Sequence, residues 1–153
     1  KKENDSVYKV GCLGKISDYQ KSKDGRILIN LTGITRFEIL DEKINRKLYR
    51  EFVVNYDNFE SDLVKKEEEI NSYSLMGKAK TFFNKNGLLL NWKEFDKLGL
   101  DQKINTLAMI SPVTNEEKQK ILETITLNEK IKTLEKIIDF YLYEVGFKNQ
   151  TIQ

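Results

Sequence analysis

Histidine is absent from this chain of 153 residues, and cysteine and proline each occur once. Without histidine, Ser-His-Asp and Cys-His catalysis are excluded, as is every histidine-ligated metal site. The lone thiol, Cys12, forms neither an intrachain disulfide nor a thiolate zinc site. That usage suits a reducing compartment, and a cytoplasmic location is the default expectation. Long apolar runs are also missing. Stretches such as 27–31 and 87–90 fall far short of the ~20 residues a membrane helix needs. No secretory signal pattern opens the chain, and neither G-x-x-x-x-G-K-[ST] nor G-x-G-x-x-G occurs. A net charge of +2 supplies no global attraction to nucleic acid or anionic lipid. Ser-Lys, paired-carboxylate and all-oxygen metal sites survive these exclusions. The expectation is a non-enzymatic protein without a cofactor.

What is present is a balance of 39% apolar and 33% charged residues, enough for a modest folded core. From Arg26 to Leu40, Ile27, Ile29, Leu31, Gly33, Phe37 and Ile39 alternate with Arg26, Asn30, Thr32, Arg36 and Glu38. A period of two marks a half-buried strand, with a bend expected at Gly33. Tyr8, Val10, Cys12 and Ile16 repeat the pattern, and Ser22-Lys23-Asp24-Gly25 supplies the intervening turn. A third strand is expected around 49–56, completing an antiparallel meander.

After Asn58 the period changes. Ile70, Tyr73, Met76, Ala79 and Phe83 fall at helical spacing behind a charged run, 65–69, and Asn86-Gly87 offers a left-handed stop. Asp101 is expected to cap a short helix ending before Pro112. Thr114 with Glu117, and Thr126 with Glu129, are capping boxes. The second opens a helix striped by Leu127, Ile131, Leu134, Ile138, Tyr141, Leu142 and Val145, with Gly146 as terminator. The class is therefore α+β: a β-subdomain over 1–60 and a helical subdomain over 61–153.

Three segments carry a family resemblance. They are Tyr8-Lys9-Val10-Gly11-Cys12-Leu13-Gly14-Lys15-Ile16, then Asp24-Gly25-Arg26, then Leu31-Thr32-Gly33-Ile34-Thr35-Arg36-Phe37. They are similar to the V-G-C-x-G-x-I strand, D-G-R turn and G-x-x-R-F strand of the amino-terminal domain of Lon proteases. Asn91-Trp92, the run Lys103 to Met109, and Pro112 with Glu117-Lys118-Gln119 and Leu122-Glu123 resemble the stand-alone bacterial members. The likeness runs from about 7 to 143. It implies a PUA-like pseudobarrel, its amino-terminal strands lacking here, followed by helices. It further implies a non-catalytic module that recognises unfolded or exposed hydrophobic segments of client proteins. The family's proline-rich first strand and helix have no counterpart in these residues, nor do the ATPase and Ser-Lys protease modules.

Candidate sites follow from these readings. Phe52, Val54, Tyr73 and Phe83 are expected to line a partner groove between sheet and helices. Lys15, Arg26 and Arg36 form a candidate basic face, the basis of an alternative reading as an RNA-binding PUA-like domain. Nucleic acid is disfavoured, because the strand aromatics fall on the core side instead of interleaving with the basic residues. A further alternative is a processed fragment of a full-length ATP-dependent Lon protease. Cys12 is expected in the core, and Glu116, Glu117 and Glu123 read as caps and solvated side chains. Asp57, Glu60 and Asp62 lack the spacing of a calcium loop. Of Tyr141 and Tyr143, one is expected in the core and the other, with Phe147, on an exposed apolar patch. No feature specifies an oligomeric state.

Overall fold

Alternation and turn chemistry give the first three elements of the computed structural model, which describes residues 6–64 and 70–148, with side chains to Tyr143. Strands β1 (Val10–Lys21), β2 (Ile27–Lys43) and β3 (Glu51–Asn55) form an antiparallel sheet in the order β1-β2-β3. The β1–β2 turn closes because Gly25 adopts φ +86, where a side chain would be strained. Asp24 accepts from the Arg26 backbone N–H at 3.2 Å, fixing the loop from within. The chain divides into two compact units, Lys1–Glu67 and Glu68–Gln153. The charged run 65–69 lies outside the described residues.

In the first unit, a 3-10 segment (Asp57–Leu63) packs on the middle of β2. It buries Phe59 together with Thr35 and Arg36. The Arg36 guanidinium lies 4.5 Å above the Phe59 ring. Asp62 accepts from Arg36 through the backbone N at 3.0 Å, Nε at 2.8 Å and Nη2 at 2.7 Å. That two-pronged pairing satisfies a cation which burial alone would make costly. Earlier along the sheet, Gly11 faces Phe37 so closely that an added Cβ would lie 2.6 Å from its Cζ.

The second unit holds α1 (Tyr73–Lys85), α2 (Trp92–Phe95), α3 (Leu100–Ile110), α4 (Asn115–Glu123) and α5 (Leu127–Lys148). Its core joins Leu75, Ala79, Phe82 and Phe83 of α1 to Ile104 and Leu107 of α3 and Ile131, Leu134 and Ile138 of α5. Each of the leucine, isoleucine and phenylalanine side chains contributes roughly 1.5–3 kcal/mol by leaving water. The α1 stripe is rotated from expectation. Leu75 and Phe82 face inward, while Tyr73 is 88% exposed, because two residues, about 200° of helix, separate it from Leu75 on the buried side. Gly99, not Asp101, precedes α3, its N–H donating to the Gln102 Oε1 at 3.2 Å. Both threonine boxes form, and Gly87 takes φ +65 after α1. Gly146 does not end α5, which continues through it to Lys148. Tyr141 packs 5.9 Å from Phe82 and donates to Glu117 Oε2 at 2.8 Å, while Tyr143 is exposed. The Phe147 side chain lies outside the described residues.

Candidate functional site

Among the described residues, half of β2 lacks a second neighbour. β3 pairs only with residues 38–43, so residues 27–33 hydrogen-bond to β1 alone and form a two-stranded ribbon. Directly opposed residues share a side of an antiparallel pair. The pairs Lys21↔Ile27, Tyr19↔Ile29 and Ile16↔Leu31 therefore stand on one side, and Gln20↔Leu28, Asp18↔Asn30 and Lys15↔Thr32 on the other.

Ile16 and Tyr19 are three positions apart and by strict alternation belong on opposite sides. A register shift between Ile16 and Asp18 makes Ser17 an extra residue, and this bulge brings them together. The Ser17 hydroxyl donates to the Asn30 carbonyl at 3.2 Å and pins the bulge. The outcome is a continuous apolar face: Ile16 is 57% exposed, Tyr19 71%, Ile27 61%, Ile29 45% and Leu31 62%. Lys21, at the ribbon tip, is the one ionisable amine on it. Among the described residues β1 is an edge strand, and such an edge is a place where a further strand can pair.

The expected site residues fall elsewhere. Phe52 and Val54 are half-buried on β3, with the Arg50 guanidinium 5.0 Å over the Phe52 ring. Tyr73 and Phe83 belong to the helical unit. Phe83 is sealed at 1% exposure against Trp92, ring centroids 6.0 Å apart, so it supports a core and lines no surface. The basic trio is dispersed as well. Lys15 is exposed on the polar side of the ribbon. Arg26 projects from the turn onto Asp24, which holds that carboxyl below its usual range. Arg36 is drawn inward by Asp62 and Phe59 and does not belong to a solvent-facing stripe.

Cys12, expected in the core, is exposed opposite Arg36, because nothing among the described residues covers that stretch of β1. Sequence alternation located most of the apolar residues of the ribbon. It missed Tyr19 as a member, and it assumed that an apolar side is a covered one. On the helical unit, Leu98, Gln102, Asn105, Thr106 and Met109 line a shallow depression that contains no ionisable side chain. Among the described residues, no group of three or more His, Cys, Asp or Glu is placed to hold a metal ion. No described helix is long and apolar enough to cross a membrane.

Two comparisons with known proteins bear on this arrangement. A family profile described as the ATP-dependent protease La (LON) substrate-binding domain matches residues 1–139. Among solved structures, the N-terminal domain of a Lon protease from the Mycobacterium avium complex is similar, with a TM-score of 0.59. The two chains are 18% identical, and the match covers 89% of this chain and 73% of that one. At that identity the likeness shows the fold: a three-stranded antiparallel sheet followed by helices. No curated protein matches the sequence.

Proposed function

The chain belongs to the family of the ATP-dependent protease La (Lon) substrate-binding domain, and we propose that it binds exposed apolar segments of other proteins on the β1–β2 face, without catalysing a reaction. The observation that carries this is the uncovered row of Ile16, Tyr19, Ile27, Ile29 and Leu31 on an edge-bounded ribbon. A client segment in extended form gains in two ways. Its apolar side chains leave water against the face at roughly 25 cal/mol per Å². Its backbone completes the hydrogen bonds of the β1 edge, a sequence-tolerant contribution suited to varied clients.

Fluorescence anisotropy with a labelled, reduced and alkylated globular protein, which cannot fold, tests the reading. Wild type binds, and affinity changes little between low and high salt because the contacts are apolar. Tyr19→Ser weakens binding about tenfold, the equivalent of losing ~1.4 kcal/mol of burial. Failure to bind the unfolded chain would sink the reading. So would binding whose logarithm falls steeply with the logarithm of salt, the signature of phosphate contacts and of the RNA alternative.

A further inference from the structure

We infer that the loop joining β2 to β3 seats this protein on an anionic phospholipid surface. The last pair of the β2–β3 ladder is Lys43↔Glu51, so residues 44–50 form a loop beyond the sheet. Two large aliphatic side chains stand there as open to water as in an isolated peptide, Ile44 at 103% exposure and Leu48 at 107%. Tyr49 beside them is 61% exposed. Ile44 and Leu48 therefore take no part in packing the sheet.

The same segment gathers positive charge. Between 42 and 51, Lys43, Arg46, Lys47 and Arg50 face only Glu42 and Glu51, so this stretch alone carries +2, as much as the entire chain. Both carboxylates are engaged at the base of the loop. Glu42 accepts from Arg50 Nε and Nη2, each at 2.7 Å, and Glu51 accepts from Lys47 and from the Asn45 amide. Among the described residues, Lys43 and Arg46 meet no carboxylate.

Aliphatic side chains flanked by cations fit the boundary between acyl chains and phosphate headgroups. Ile44 and Leu48 leave water there, Tyr49 sits at headgroup level as amphipathic rings do, and Lys43 and Arg46 meet phosphates. The unpaired backbone of the loop sets the depth, since amides without partners do not enter hydrocarbon and insertion stops at the interface. Apolar burial and charge are each weak alone and hold a protein at a bilayer together. RNA would engage the cations but leave both aliphatic side chains in water. It would also want a free ring for stacking, whereas the Lys47 ammonium already lies 5.2 Å from the Tyr49 centroid. An apolar protein groove would give Lys43 and Arg46 no counter-charge. Attachment of this kind is independent of client binding, because the loop lies at the opposite end of β2 from the ribbon tip at Ile27.

Flotation of the whole chain with phosphatidylcholine vesicles, with and without phosphatidylglycerol, provides the test. Wild type floats with the anionic vesicles at low salt, binds the neutral ones far more weakly, and is released as salt rises. Lys43→Gln with Arg46→Gln weakens anionic binding about twenty-fivefold, each cation near such a surface being worth about fivefold. Ile44→Ser with Leu48→Ser weakens it at least about tenfold although the charge is unchanged. Lys23→Gln, in the β1–β2 turn, leaves binding intact. All these positions are exposed, so each variant keeps the wild-type thermal midpoint. Full binding by the serine variant, or equal loss from Lys23→Gln, overturns the inference. So does wild type that fails to float, which leaves the aliphatic pair to a protein groove. Poly-uridylate bound as tightly as the anionic vesicles overturns it too, by making the loop a general polyanion contact.

Discussion

Replacing Asp62 with alanine withdraws a carboxylate that accepts three hydrogen bonds from Arg36, at 3.0, 2.8 and 2.7 Å. Burial decides what that costs. The Arg36 side chain is 7% exposed and that of Asp62 21%. Removing one partner of a buried pair costs 3–5 kcal/mol because the other charge stays behind in low dielectric. The partial exposure of Asp62 puts the expectation at the lower end, about 3 kcal/mol. Arg26 and Asp24 provide the control. Their contact is equally short, at 2.6 Å, but the arginine is 87% exposed. Solvent screens such a pair, and Arg26→Ala, which keeps the backbone N–H that Asp24 accepts, is expected to leave stability within experimental error. Hydrogen exchange across residues 34–43 is the assay, since it reads the sheet separately from the helical unit. Asp62→Ala speeds exchange there roughly a hundredfold, the equivalent of ~3 kcal/mol. Equal effects from the two substitutions would refute the argument from burial.

Three further outcomes are expected, the first a contrasting pair of glycine replacements. Gly11→Ala drives a methyl to 2.6 Å from Phe37 Cζ and costs about 1–3 kcal/mol by overpacking. Gly77→Ala in α1, where nothing lies within 4 Å, stabilises by up to ~1 kcal/mol, and denaturant titration compares the two. Thr114→Ala removes the acceptor for the Glu117 N–H and costs about 1 kcal/mol, measured by Trp92 fluorescence, which reports the helical core. The third concerns acid. The Lys78 ammonium and then the Ser74 hydroxyl hold the Glu135 carboxyl below its ordinary range. A depressed carboxylate stabilises the fold above its unfolded value of ~4.3, and that contribution is lost as pH falls through the lower folded value. The thermal midpoint of the helical unit therefore holds from neutral pH to about 5 and declines below ~4.3, and Glu135→Gln flattens that decline.

Local chemistry made much of the fold legible. Thr114 with Glu117 and Thr126 with Glu129 signal helix starts, since few other residue pairs satisfy those N–H groups reciprocally. Gly25 and Gly87 mark turns because both require positive φ. The site was legible only in part. Alternation identifies an apolar side, but exposure depends on whether another element lies across it, and no single strand encodes that. Phe83 looked like a surface candidate because helical spacing fixes a stripe and not its depth. Arg36 read as a surface cation because its partner, Asp62, lies 26 residues further along the chain in a segment without periodicity. Ser17 gave no signal at all, for an unpaired residue within a strand looks like any other polar position.

That silent serine has an evolutionary consequence. It is a spare residue: left out of the pairing, it lets Tyr19 emerge beside Ile16, whereas pairing it in regular alternation would turn Tyr19 to the other side. Substitutions at position 17 leave the phase alone. Deletion of a single codon there would leave Ile16↔Leu31, Asp18↔Asn30 and Tyr19↔Ile29 in unbroken register, with the tyrosine still on the apolar side. The apolar side of the ribbon is thus buffered against the loss of one residue at this point of β1, in a way that a tally of substitutions would never register.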